Sequence, residues 1–256
     1  MNPYRAFSPC TPDCARHAEP PVSPGTAARR AAELATALAR GGPLPQRARS
    51  ALAALGVALD VRAEAGGRAT LSVPGSVGTL VVANHQSWLD VVGLTAVEGV
   101  GFLAKREIAR WPWVSSVARR HGTVFVDRWA LRTLPDAVAA LRERLRSGHS
   151  VVVFPEATTH CAAPGGRFRH AAFQAALDAG APVRPVSLSY HQRGRPSRIA
   201  AFVGDDTLAH SLGRVLRARE LTLRLTSHPA LAPDGDRARL ARQAREAVLG
   251  REPTRA

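Results

Sequence analysis

His85 and Asp90 are the residues whose types and spacing first suggest chemistry. They sit in "LVVANHQSWLDVV" (residues 80–92), where an apolar run stops at Asn84 and a histidine follows at once. An imidazole held by a carboxylate at one ring nitrogen offers the other nitrogen as a base. Spacing alone does not favour that pairing. On a regular helix five residues turn through about 500°, which leaves the side chains roughly 140° apart. They can meet if His85 lies in the turn before a helix and Asp90 in its first turns. Taken alone, the stretch reads more simply as a strand ending in a polar turn.

The surrounding pattern says what must position these residues. The β-branched run at 79–84 reads as a buried strand, and a helix is predicted over 88–97. Further strands are predicted at 59–64, 70–75, 99–105, 122–128, 150–156, 182–190, 198–204 and 220–226. Helices are predicted at 26–40, 45–57, 107–120, 130–147, 168–180, 207–217 and 235–249, with Thr26 as the first cap and Gly180 as a stop. This alternation predicts an α/β fold, a mostly parallel central sheet flanked by helices, with an N-terminal helical pair. Ligands of such sheets sit beyond the carboxyl ends of the strands. His85 lies just past one strand, Lys105 ends the next, Asp127 and Arg128 end a third, and Glu156 ends a fourth. Four polar or charged strand ends are thus expected along one edge.

In that order the chain resembles the lysophospholipid acyltransferase family, typified by 1-acylglycerol-3-phosphate acyltransferase. The resemblance rests on four blocks: "NHQSWLD" (84–90), "FLAKREIARWPWVSSVARRHGTVFVDR" (102–128), "VFPEATTH" (153–160) and "APVRPVSLSY" (181–190). It covers roughly residues 70 to 205 and implies a glycerol-3-phosphate acyltransferase-like fold. It implies that His85 is the general base toward an acceptor hydroxyl and that Asp90 orients it. It further implies that Asn84, Lys105, Arg128, Glu156, Ala157 and Thr158 bind substrate, and that backbone donors near the third block stabilise an oxyanion. The acyl donor would be acyl-CoA or acyl-ACP, a co-substrate, and no cofactor or metal is expected. Two positions depart from the family pattern. Ala157 stands where a glycine is usual, and Thr159 where an arginine often helps to bind the acceptor phosphate. The acceptor is therefore open between a phosphate-bearing lysolipid, with Arg167 or Arg169 as substitutes, and another head group such as lyso-ornithine lipid.

Composition narrows the competing classes. The 256 residues carry a formal charge of +15, which favours anionic partners. Aromatic content is only 5% and no helix-turn-helix pattern occurs, so nucleic acid is not the expected partner. An anionic membrane surface is expected instead, alongside the lysolipid and the acyl donor. No run of about 18 apolar residues occurs, so the expected location is cytoplasmic and peripheral at the inner face of the cell membrane. Ser87 lacks the Gly-x-Ser-x-Gly context of a hydrolase nucleophile.

Four segments are expected: a flexible Pro-rich arm over 1–25, a helical pair over 26–57 with possible membrane-surface contact, the acyltransferase domain over 58–250, and a tail over 251–256. Cys10, Cys14 and His17 have spacing that could suit a metal, but half a ligand set is weak. A thiol-bearing tail is the favoured reading, and Cys161 reads as an incidental thiol.

Overall fold

The computed structural model describes residues 10–16, 19–64, 66, 69–105, 123–126, 134–162 and 165–250. The helix expected at 107–120 and the residues Asp127 and Arg128 lie outside them. The described strands are β1 (Val57–Ala63), β2 (Leu80–Ala83), β3 (Gly101–Lys105), β4 (Val124–Val126), β5 (Val151–Val153), β6 (Val183–Gln192), β7 (Arg195–Pro196) and β8 (Leu221–Ser227). They form one sheet in the order β1-β8-β6-β2-β5-β3-β4, with β7 paired to β6 alone. Strands β6, β2, β5, β3 and β4 are mutually parallel, whereas β8 runs antiparallel to β6 and carries β1 beside it in parallel. The mostly parallel sheet expected from the alternation is therefore present, with a reversed pair at one edge.

The described helices are α1 (Pro24–Ala39), α2 (Leu44–Ala54), α3 (Leu89–Val97), α4 (Leu134–Arg146), α5 (Ala171–Ala179), α6 (Leu208–Arg217) and α7 (Arg237–Leu249). They cover both sheet faces, and the pleat divides the core between them. Val81 and Ala83 join Leu52 of α2 and Leu55 just after it, Leu89 and Leu94 of α3, and Val215 of α6. Leu80 and Val82 face Leu141 of α4, Phe173 of α5 and Leu240 of α7. Every residue of β2 is thus buried, which is why its sequence runs apolar without alternation.

Two expected strands are absent, for the same reason. At 70–75 the backbone N–H groups of Leu71 and Ser72 donate to the Glu98 carboxylate at 3.1 Å, and that of Val73 donates to Thr79 Oγ1 at 2.8 Å. At 198–204 Arg214 takes the carbonyls of Ile199 and Ala201 at 3.0 and 2.7 Å, and the Phe202 N–H donates to the Gln86 carbonyl at 2.9 Å. Side chains and a turn satisfy these backbones in place of a neighbouring strand.

The amino-terminal arm also departs from expectation. Its described residues are docked on the domain. The Val22 N–H donates to the Arg217 carbonyl at 2.9 Å, Arg219 Nε donates to the Pro20 carbonyl at 3.2 Å, and Ala15 is buried. Its few apolar residues find specific neighbours in Ala201, Val203 and Cys161, which composition cannot anticipate. The helix after the arm starts two residues before Thr26, and its cap is Ser23, whose hydroxyl accepts from the Thr26 N–H at 3.2 Å.

Candidate active site

Because β2, β5, β3 and β4 are parallel neighbours, their carboxyl ends share one edge. The end of β2 carries the first block. Asn84 is buried, with its Nδ2 donating to the Leu188 carbonyl at 2.9 Å and its Oδ1 accepting from the Leu188 N–H at 2.7 Å. Its amide acts as one more peptide unit, prolonging the β2–β6 ladder beyond the last strand residue. Asn84 was expected to bind substrate. Both its polar ends are committed to β6, and the residue also lines the cleft at this edge.

Beyond Asn84 the chain turns into α3, and the turn brings His85 and Asp90 together. His85 Nδ1 lies 2.8 Å from Asp90 Oδ2. The same oxygen accepts the backbone N–H groups of Gln86 and Ser87 at 2.7 and 2.8 Å. Its partner Oδ1 accepts the Tyr190 hydroxyl at 2.5 Å. The Asp90 carboxylate is fully buried at the amino end of α3. The Gln86 and Ser87 amides and the Tyr190 hydroxyl, three donors, already use this carboxylate as an acceptor, and the tautomer that matches it carries the His85 proton on Nδ1 and leaves Nε2 free. The imidazole stacks on Phe154 with ring centroids 4.0 Å apart and planes at 14°. Its side chain keeps 21% exposure, enough to meet a substrate.

The third block holds the same turn from the other side. Glu156 Oε2 accepts the His85 backbone N–H at 2.9 Å, and its Oε1 accepts the Gly166 N–H at 2.6 Å. Burial pushes the Glu156 carboxyl above the usual carboxylate range, and the Gly166 and His85 amides pull part of that shift back. Glu156 is among the residues expected to bind substrate. It is 4% exposed, and the two amides hold its carboxylate at the wall of the cleft, where it fixes the His85 backbone. A Cβ on Gly165, which has φ 64°, would lie 2.4 Å from Glu156 Oε1, so that loop passes where only glycine fits. The His160 N–H donates to the His85 carbonyl at 2.8 Å, closing a third tie to the same residue. Asn84, His85, Gln86, Glu156, His160, Ala162, Gly165 and Leu249 line a small cleft at this edge.

The remaining sequence candidates sit as follows. Lys105 ends β3 in register with Val126, on the expected edge, and Arg128 lies outside the described residues. Thr158 is half-buried in the turn after Glu156. Thr159, which replaces the expected arginine, points its hydroxyl at the Phe202 carbonyl. Arg167 is exposed and lines a second depression with Phe168, His170, Arg242 and Arg245. Ser87 is fully buried and its Oγ accepts the Leu89 N–H at 3.3 Å, a helix-entry role.

Several known proteins are similar to this chain. A family model described as Acyltransferase matches residues 68–189. The chain is 38% identical over 172 residues to the lyso-ornithine lipid O-acyltransferase of Pseudomonas aeruginosa, covering 66% of each. It is 37% identical over 177 residues to the 1-acyl-sn-glycerol-3-phosphate acyltransferase of Neisseria meningitidis, covering 69% of this chain and 67% of that protein. This chain belongs to the acyltransferase family. The acyltransferase thus spans about two thirds of the length of these relatives. Its fold also matches the crystal structure of the 1-acyl-sn-glycerophosphate acyltransferase PlsC from Thermotoga maritima, with a TM-score of 0.61 at 22% identity over 86% of this chain and 78% of that one.

Two residues of the acyltransferase site carried no sequence-level signal of their role. His160 closes the third block and Tyr190 the fourth, and neither position marks a role. Tyr190 sits at an inward position of β6, where the burial alternates, and a buried phenol needs a partner. Burial, with the adjacent Asp90 carboxylate, pushes that phenol well above its ordinary range, so it stays a donor. Tyr190→Phe should destabilise the fold by about 1.5–3 kcal/mol, the usual contribution of a hydrogen bond to a charged group. Urea unfolding measures it, and an unchanged midpoint would remove Tyr190 from the network.

Ala157 supplies a change in the opposite direction. Its φ is 61°, in the left-handed region where a Cβ costs roughly 1–2 kcal/mol. Part of that cost returns as the greater unfolded-state freedom of glycine, so Ala157→Gly should stabilise the acyltransferase by about 0.5–1 kcal/mol. A thermal melt should show the gain, and a lowered midpoint would mean that the methyl group packs usefully.

Proposed function

We propose that this acyltransferase moves a fatty acyl group from acyl-CoA or acyl-ACP to the hydroxyl of a lysolipid, in membrane-lipid biosynthesis. One observation carries the reading: His85 has Nδ1 engaged by a fully buried carboxylate while its ring lines a cleft at the carboxyl edge of the sheet. Nε2 takes the proton of the acceptor hydroxyl as that oxygen attacks the thioester carbonyl. Asp90 stabilises the imidazolium that forms. The tetrahedral intermediate collapses with loss of the thiolate, and His85 returns its proton to that sulfur. The thioester is already activated, so no covalent acyl-enzyme is required. Lys105, at the end of β3, would meet the acceptor's polar head, and Arg128, outside the described residues, is the second cation the family resemblance assigns to it.

The first acceptor in this reading is a phosphate-bearing lysolipid such as 1-acylglycerol-3-phosphate. The net charge and the depression bearing Arg167, Arg242 and Arg245 support it. A second acceptor, lyso-ornithine lipid, is favoured by Thr159, which brings no charge and spends its hydroxyl on Phe202. No described helix is long and apolar enough to cross a membrane. The acyltransferase would work as a peripheral protein at the inner face of the cell membrane, with α1 and its exposed Leu38 as a contact.

The test is a panel of monoacylated acceptors with one acyl-CoA, read by mass spectrometry. At least one lysolipid should gain an acyl chain, and the faster of 1-acylglycerol-3-phosphate and lyso-ornithine lipid selects the head group. If the folded protein acylates none of them, the proposal fails.

A further inference from the structure

Three cysteines from two distant parts of the chain meet at one point. Cys10 and Cys14 belong to the arm, and Cys161 to the loop that follows β5. Their sulfurs all lie within 4.8 Å of one another. Cys10 Sγ and Cys161 Sγ are 2.9 Å apart, and the Cys161 backbone N–H points at Cys10 Sγ from 3.2 Å. A single 3-10 turn, Pro12–Ala15, brings Cys14 back toward Cys10, with the Cys14 N–H donating to the Thr11 carbonyl at 2.9 Å. The arm is pressed against the domain here. A Cβ on Gly204 would lie 3.1 Å from Pro12 Cδ and 3.5 Å from the Cys10 carbonyl oxygen. Ala15, Ala201 and Val203 pack around the sulfurs.

Two chemistries draw thiols together in this way. A disulfide would engage two of them and leave the third crowded for no purpose. A tetrahedral metal ion engages all three. With metal–sulfur bonds of about 2.3 Å, ligating sulfurs stand roughly 3.8 Å apart, which this trio can adopt with small side-chain shifts. Backbone N–H groups aimed at sulfur are the outer contacts that steady such ligands. A thiolate-rich tetrahedral set selects zinc among the common divalent ions.

We propose that Cys10, Cys14 and Cys161 bind a structural zinc ion that clamps the amino-terminal arm to the loop behind His85. Cys161 follows His160, whose backbone holds the His85 carbonyl. The clamp would therefore brace the catalytic turn from behind without touching substrate.

The test uses the full-length protein purified under reducing conditions without chelator, with zinc measured by plasma mass spectrometry. One zinc per chain is expected. Exchange for cobalt should give the intense near-ultraviolet absorption of thiolate-to-cobalt charge transfer. Cys14→Ser should lose most of the zinc and that absorption while keeping the circular dichroism of the fold. A reduced wild-type protein that binds neither zinc nor cobalt overturns the proposal. So does a chain isolated metal-free with Cys10 and Cys161 joined, two mass units below the reduced form. Metal content is read independently of acyl transfer, so failure here leaves the proposed reaction to its own test.

Discussion

His85→Ala should lower the turnover of acyl transfer by about 10²–10⁴-fold, the range that a positioned general base contributes. The loss should fall on kcat, because the ring makes its decisive contact with the proton in flight. The fold should survive. The histidine side chain is 21% exposed and its backbone ties to Glu156 and His160 are independent of the ring. Release of thiol from acyl-CoA in the presence of the best acceptor measures the effect. Turnover within tenfold of the unmodified protein would remove His85 from the chemistry.

Asp90 should show two separable effects, one on stability and one on rate. Asp90→Ala leaves the His85, Gln86, Ser87 and Tyr190 donors without their acceptor in a fully buried place. Removing one partner of such a buried charged cluster costs about 3–5 kcal/mol, a large share of a domain's stability. Asp90→Asn is the informative contrast. The amide oxygen can sit where Oδ2 sits and keep three donors, while the amide nitrogen faces the Tyr190 hydroxyl, which can rotate to accept. The fold should then be nearly retained. A neutral amide stabilises the imidazolium less, and forfeiting about 1.5–3 kcal/mol of charge-assisted bonding would slow turnover by roughly 10–10²-fold. Urea unfolding and steady-state kinetics on both variants separate the effects. Equal destabilisation of the two would contradict the donor geometry.

Much of this site was legible in the chain because it is written in local signals. The buried run at 80–83, the polar stop at Asn84 and the helix after it place His85 at a strand end, and the order of strands and helices puts Glu156 on the same edge. Contacts between distant segments were not legible. Nothing in the first block reveals that Asn84 continues the ladder toward Leu188, and nothing in the fourth reveals that Tyr190 reaches Asp90. The strand-end position of Glu156 suggests a carboxylate facing substrate and does not reveal that two backbone amides hold its oxygens. The stretches at 70–75 and 198–204 carry strand-like alternation, yet Glu98, Thr79 and Arg214 take up their backbone groups. The arm's cysteines looked like half of a site because Cys161 lies 151 residues from Cys10.

The carboxylates of Asp90 and Glu156 are met chiefly by main-chain N–H groups, those of Gln86, Ser87, His85 and Gly166. Main-chain donors are blind to the side chain they belong to. Position 86, half-buried at the rim of the cleft, can therefore drift among residue types without disturbing how the base is held. The two acceptors have no such latitude. Under the proposed reaction, variation that retunes the choice of acceptor would be free to accumulate at the rim, one residue from His85, while the contacts beneath it stay fixed.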